Sequence, residues 1–326
     1  MREVESTPLV SVVIPNYNYA RYLEQRITSI LNQTFKDFEL ILLDDSSTDN
    51  SRKILEHYRS NLHVTHVEYN EKNTGSPFKQ WMKGILLAKG KYVWIAEADD
   101  YAEPLFLETC VRWAESDSNT AICYSGSYLF DAHGNVEPRD VNHWGRRSRK
   151  DATVFDGKDY ACCNLYWKNY IINASAVIFR REYAISLVNS HFVDMRYCGD
   201  WLFWFKLALQ GKVIEVYKEL NYFRQHPMKA TTFSRRFGDG IKEDAQIIVE
   251  MESLLGDLST YKKRLRRGLL YRKVKRMSLA NNIKQELFTF LANTLNSSMS
   301  DYYLERRNQI LRLFLPRLLT IKRERL

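Results

Sequence analysis

The order of short apolar runs and helically spaced segments predicts an α/β chain on a doubly wound sheet. Three observations carry that class. Strand-like and helix-like patterns alternate through the first hundred residues, as βαβαβαβ. The first run is nearly continuous, as in strands covered on both faces. Three of the four strand ends carry polar or acidic clusters, at the rim where open α/β sheets bind ligands.

Each element has its own signal. Val10-Ser11-Val12-Val13-Ile14 is the first strand, followed by Leu23, Ile27, Ile30 and Leu31 at helical spacing. Phe38 to Leu43 is the second strand and runs into Asp44-Asp45. Ser47-Thr48-Asp49-Asn50 supplies cap residues for a helix through Ile54 and Leu55. Val64 to Tyr69 is a third strand. Phe78, Trp81, Ile85 and Ala88 mark a helix closed by Gly90. Tyr92 to Ala96 is the fourth strand and runs into Glu97-Ala98-Asp99-Asp100. Beyond Pro104 the alternation loosens. A helix through Phe106, Cys110 and Trp113 precedes strands at Ala121–Tyr124 and Ile171–Phe179, and Leu202, Phe205 and Leu209 mark a further helix. Asp131 to Asn135 reads as a turn and His143 to Lys150 as a basic loop. After about Ser234 the pattern is all helical.

With 326 residues, 45% of them hydrophobic and 27% charged, the chain is of globular composition. No uncharged apolar run approaches the roughly 20 residues of a membrane span. The charged start MREVESTPLV has no apolar leader region. Five cysteines without a CxxC argue against a disulfide framework or a zinc site. The expectation is a cytoplasmic, reduced protein. From Tyr261 onward, 17 Lys and Arg face four acids, so the first 260 residues hold 31 basic against 35 acidic. The net charge of +9 therefore resides in the C-terminal segment.

Two nucleotide signatures are missing. No GxGxxG follows the first strand, which ends in Pro15-Asn16-Tyr17, and no GxxxxGK[ST] occurs. A nucleotide diphosphate at this rim needs another source of positive charge. Glu97 and Asp99 at one strand end suit a hard divalent cation, Mg²⁺ or Mn²⁺, that leaves positions open for phosphate oxygens.

These residues resemble the inverting family-2 glycosyltransferases of the GT-A fold. Three ordered blocks carry the resemblance: SVVIPNYNYARYLEQRITSILNQTFKDFELILLDDSSTDNS, NTGSPFKQWMKGILLAKGKYVWIAEADDYAEP and GDWLFWFKLALQGKV. It covers about residues 9 to 230. It implies transfer of a sugar from a nucleotide diphosphate, a UDP-sugar favoured, to an acceptor hydroxyl with inversion. Pro15 and Tyr17 would line the base pocket and Asp45 would hydrogen-bond the base. Asp99 matches the metal-binding acid of the DxD motif, and Asp200 the general base. Glu97 stands where the first Asp is usual, Ser46 where Gly is common after the paired Asp, and Gly199 where an acid often precedes the base.

Read on its own, Asp200 is also a helix N-cap. In Leu220 to His226, Arg224 is expected to pair with diphosphate and His226 to be a further metal ligand or a phosphate donor, as an Arg-x-His at this place resembles in the family; read on their own, the two are an ordinary surface pair. Lys79 and Gln80 are weaker phosphate candidates, and with Ala98 they complete the expected donor site. Trp144, Tyr166, Trp167, Tyr170, Trp201 and Trp204 are acceptor platforms or core.

The expected organisation is a GT-A-like domain over 1–233, with a nucleotide half at about 1–100 and an acceptor half at 101–233. A basic helical extension covers 234–326. In that extension Ile310, Leu311, Phe314, Leu318 and Ile321 form a stripe flanked by Arg306, Arg307, Arg312, Arg317, Lys322, Arg323 and Arg325, with Pro316 as a break. The stripe reads as a peripheral anchor on an anionic membrane face or as a helical cap on the body. Nucleic acid is not an expected partner, and a glycan or lipid-linked acceptor is. The rivals are a sugar-nucleotide nucleotidyltransferase, disfavoured by Pro15-Asn16-Tyr17, and a binding module on an α/β scaffold.

Overall fold

A computed structural model describes residues 7–131, 134–140, 142, 150–226 and 238–315. Trp144, most of the 143–150 loop and everything from Pro316 onward lie outside the described residues. The contacts divide the chain into two compact units. One lies within Met1–Lys158, Tyr170–Arg196 and Lys206–His226; the other lies within Asp159–Asn169, Tyr197–Phe205 and Pro227–Leu326. Segments 159–169 and 197–205 thus group with the C-terminal helices, where the sequence placed them in the first domain.

The first unit is built on one sheet. Its opening strands are β1 (Val10–Asn16), β2 (Phe38–Asp44), β3 (Val64–Tyr69) and β4 (Tyr92–Ile95). Between them run helices α1 (Ala20–Leu31), α2 (Ser51–Tyr58) and α3 (Pro77–Leu87). There follow β5 (Tyr101–Ala102), α4 (Phe106–Ala114), β6 (Thr120–Phe130), β7 (Val136–Asp140), β8 (Ala152–Phe155), α5 (Gly157–Tyr160), β9 (Val177–Arg180), α6 (Arg181–Ile185) and β10 (Lys212–Arg224). The strand order is β3-β2-β1-β4-β9-β6-β10-β5. β1 pairs in parallel with β2 and β4, while β9 runs antiparallel to both β4 and β6, so the sheet is mixed.

Strands β1, β2 and β4 are buried along their whole length, which is why their sequences read as continuous apolar runs. Val12, Ile14, Leu40, Leu42 and Trp94 pack with Leu23, Ile27 and Ile30 of α1 in one core. Buried Ser11 is satisfied by donating to Glu39 (2.6 Å) and accepting from the Gly90 amide (2.8 Å). The predicted strand at 171–179 is shorter than expected. A 3₁₀ turn at Ala174–Ala176 precedes β9, held by Asn173 accepting from the Ser175 amide.

In the second unit, α7 (Gly199–Ala208) contributes its first turns, and α8 (Asp239–Leu255), α9 (Thr260–Arg276), α10 (Asn281–Leu295) and α11 (Met299–Phe314) follow. Ile241, Ala245, Ile248, Leu270, Tyr271, Val274, Leu287 and Leu291 form their core. Ser298 opens α11 with a reciprocal capping box to Asp301. At Gly268, a Cβ would stand 2.3 Å from the Asp301 carbonyl oxygen, so α9 and α11 touch through backbone there. Much of the positive charge is turned inward. Arg266 pairs with Asp244 (2.8 Å), Arg267 with Glu252 (2.6 Å), Arg264 with Asp301 (2.6 Å) and Arg272 with Glu305 (3.0 Å). At the far end of α11, Leu313 and Phe314 are 80% and 76% exposed. Among the described residues no helix is long and apolar enough to cross a membrane.

Candidate functional site

The rim of the first unit forms where β1, β2 and β4 end side by side. The turns after β1 and β2 interlock there. Asn16 donates to Asp44 (2.8 Å) and Ser47 (3.1 Å), and Asn18 accepts from the Thr48 amide (2.7 Å). Asn18 and Ser46 hold φ of 59° and 65°, the left-handed region. That is the physical reason glycine is common at the position of Ser46.

At the end of β4 the chain turns through Glu97-Ala98-Asp99-Asp100, with Ala98 buried beneath the turn. His226, just beyond β10, places Nε2 2.9 Å from Asp99 Oδ2, and the two side chains are 5% and 13% exposed. The two atoms are within hydrogen-bond distance of each other, and the carboxylate oxygen is the donor type that suits Mn²⁺ or Mg²⁺. Glu97 is hydrogen-bonded to α3. Its carboxylate accepts from Trp81 Nε1 (2.9 Å), and among the described residues no three His, Cys, Asp or Glu side chains converge on one point. Loss of solvation, and then the neighbouring Asp99, push the Glu97 carboxyl up to about 8. Asp100 lies deeper and accepts from Asn173 Nδ2 and the Arg224 amide, both at 2.9 Å.

Arg224 braces the acidic turn. Its Nε donates to the Asp99 carbonyl (2.7 Å) and its Nη2 to Gln25 (2.6 Å), and its guanidinium lies 4.2 Å from the ring centres of both Tyr22 and Phe130. Tyr19 and Tyr22 of the α1 entry flank the His226 ring at 5.7 and 5.9 Å. Burial, with Asp99 next, holds the Tyr19 hydroxyl well above the usual phenol range.

The Asp45 carboxylate is engaged by the rim itself: it accepts from Asn70 (2.7 Å), the Thr74 hydroxyl (2.8 Å) and amide (3.1 Å), and Gln80 (2.9 Å). It ties the end of β2 to the start of α3. Gln80 gives its Nε2 to that contact, and its buried Oε1 has no hydrogen-bond partner among the described residues. Lys79, one residue away on the helix and so turned outward, pairs with Asp194 (3.3 Å) at the surface. Pro15 is buried inside β1, whereas Tyr17 is 45% exposed on the rim.

Asp200 belongs to the second unit, in the first turn of α7. It accepts from Asn169 Nδ2 (3.0 Å), and burial pushes it up to about 6. Glu243 of α8 accepts from the amides of Tyr197 (2.8 Å) and Cys198 (2.7 Å) just before α7, while the Asp200 carboxylate itself accepts from the backbone of its own first turn at Trp201. Glu243 also supplies a carboxylate whose charge acts on Asp200, although position 199 is glycine. Of the aromatic candidates, Tyr166, Trp167 and Trp204 are core.

The sequence reading missed Arg26, Gln25, Tyr22 and Trp81. The signal for Arg26 was present: a cation inside the stripe of Leu23, Ile27 and Ile30.

The chain is 33% identical over 151 residues to a chondroitin synthase of Escherichia coli, covering 46% of this chain and 21% of that one. It spans between 21% and 54% of the length of the first curated relatives it matches. Staphylococcus aureus TarS 1–349, solved with UDP, superposes with a TM-score of 0.65 at 18% identity, over 96% of this chain and 88% of that one. A Pyrobaculum calidifontis mannosyltransferase solved with GDP-Man and Mn²⁺ gives 0.50 at 17% identity, over 98% and 85%. The fold is therefore of the GT-A type. Residues 11–177, more than half of the chain, match the family described as Glycosyl transferase family 2, and the chain belongs to that family.

Proposed function

We propose that the protein is a metal-dependent inverting glycosyltransferase that moves a sugar from a nucleotide diphosphate, a UDP-sugar favoured, to a hydroxyl of a glycan or lipid-linked acceptor. One observation carries the reading: Asp99 and His226 face each other at the end of β4 in a chain of this family. Asp99 and His226 would hold the divalent cation, Mn²⁺ or Mg²⁺. When bound, such an ion offsets the negative charge that the leaving diphosphate acquires. Arg224 keeps the Asp99–Asp100 turn in place through Asp99 O and Gln25. Tyr17 on the rim is available to a base, with Pro15 beneath it in the strand.

The acceptor oxygen attacks the anomeric carbon while the bond to the diphosphate breaks and its electron pair leaves with the diphosphate. By its match to the family's general base, Asp200 would take the hydroxyl proton; Asn169 orients it, and burial raises its carboxyl to about 6. A glycan acceptor of surface-polysaccharide type is supported by the likeness to a chondroitin synthase. Peripheral attachment to an anionic membrane face is supported by the exposed Ile310, Leu311, Leu313 and Phe314 in a strongly basic segment.

The test is thermal unfolding with UDP, GDP and dTDP, each with and without Mn²⁺, on wild type and Asp99→Asn. A ligand at about 100 times its Kd adds ~2.7 kcal/mol. The expected result is a metal-dependent shift with one nucleotide that Asp99→Asn abolishes. No shift with any nucleotide moves the reading to a binding scaffold.

A further inference from the structure

We infer that Arg26 is a positioning residue of the acidic strand end, a fixed buried charge that stops the empty site from capturing a divalent cation alone and so couples cation entry to the arrival of a nucleoside diphosphate. The inference rests on the proposed reading that Asp99 and His226 take the cation together with the nucleotide.

Arg26 lies on the inner face of α1 and is 0% exposed. Its Nε, Nη1 and Nη2 have no hydrogen-bond partner among the described residues. The guanidinium stands 4.8 Å from the centre of the Trp94 ring, and the charges acting on it are Asp100, Glu97 and Asp99. A guanidinium carries five N–H donors. Burying one without a hydrogen-bonded partner is unfavourable, and an apolar side chain of similar volume is usually tolerated as well or better. The helix needs nothing more than that here, since Leu23, Ile27 and Ile30 around it are core. Packing therefore does not account for an arginine at this position, whereas charge does.

The charges of Glu97, Asp99 and Asp100 act on Arg26, those of Asp99 and Asp100 also act on Arg224, and three carboxylates set against two guanidinium groups leave at most one negative charge in excess. A divalent cation gains little from such a site. A nucleoside diphosphate brings the missing negative charge, and cation and nucleotide then bind as a unit. Removing Arg26 makes the site one charge more negative wherever the Glu97 proton resides. The cation alone then binds more tightly, and the anionic nucleotide is disfavoured.

The experiment is calorimetric titration of Mn²⁺ into the full chain, alone and with saturating UDP or GDP, for wild type, Arg26→Met and Arg26→Lys. In wild type, nucleotide should tighten Mn²⁺ at least about tenfold. In Arg26→Met, Mn²⁺ alone should bind at least about tenfold tighter, the scale of one unit charge at close range in a partly buried site. The gain from nucleotide should shrink by a similar factor, the metal-free unfolding midpoint should not fall, and Arg26→Lys should behave as wild type. Unchanged or weaker Mn²⁺ binding by folded Arg26→Met overturns the inference. Should that variant not fold, Arg26→Gln carries the same test. A wild type that binds no nucleotide in the presence of Mn²⁺ overturns the underlying reading instead.

Discussion

Nε2 of His226 lies 2.9 Å from Oδ2 of Asp99, although 127 positions separate the two residues in the chain. The contact joins the end of a parallel strand to the end of β10, and α1 walls it with Tyr19 and Tyr22. His226→Gln should weaken Mn²⁺-dependent nucleotide binding at least about tenfold, in line with loss of one ligand contact. The metal-free unfolding midpoint should move little. Equal affinity in calorimetry would remove His226 from the metal site.

Asp200 supplies a second test. Because burial raises its carboxyl to about 6, the fraction able to accept a proton falls as pH drops through that value. The kcat/KM of wild type should decline below about pH 6 in a profile taken with donor and acceptor. Asp200→Asn should lose ~10²–10⁴-fold in kcat while nucleotide affinity stays unchanged.

Glu97 makes stability depend on pH. Its folded-state pKa is raised from 4.5 to about 8, so the fold binds this proton more tightly than the unfolded chain does. The associated stability is complete below pH 4.5 and is lost as pH rises through about 8. Thermal unfolding of Glu97→Gln across that window should show the variant gaining on wild type as pH rises.

Ser46 sits at φ 65° in the turn after β2. Ser46→Gly should relieve that conformation and stabilise the protein by up to about 1 kcal/mol, the left-handed penalty less glycine's entropy. A rise in the urea midpoint at constant slope would show it.

Asp244 is 2% exposed between Arg266 (2.8 Å) and Lys273 (3.2 Å). Asp244→Ala leaves the buried Arg266 without its carboxylate, and loss of one partner of such a pair typically destabilises by 3–5 kcal/mol. Chemical denaturation of the full chain would measure it.

The elements most legible in the sequence were those whose burial is uniform. β1, β2 and β4 are covered on both faces, and their apolar runs announced them. β10 escaped because Lys212–Arg224 mixes charged and apolar residues: it meets β6, β8 and β5 along its length, with breaks in register against β6. Insertion of β9 between β4 and β6 is a long-range fact that no local pattern encodes. Among the proposed functional residues, Asp99 and His226 of the first unit and Asp200 of the second were visible as motif positions. The engagement of Asp45 by Asn70, Thr74 and Gln80, and the bracing role of Arg224, depend on side-chain partners distant in sequence. Arg26 was hidden by its own stripe, where only hydrophobic positions were being read.

The strand order also fixes when the acidic turn acquires its partners. β1 to β4 come from the first hundred residues, whereas His226 and the Arg224 brace lie more than a hundred residues further on. At ribosomal speeds of about 5–20 residues per second, Asp99 and Asp100 wait roughly 6–25 s before that stretch is made. During synthesis the carboxylates therefore emerge without the groups that later enclose them, and the centre is completed only near the end of the sheet.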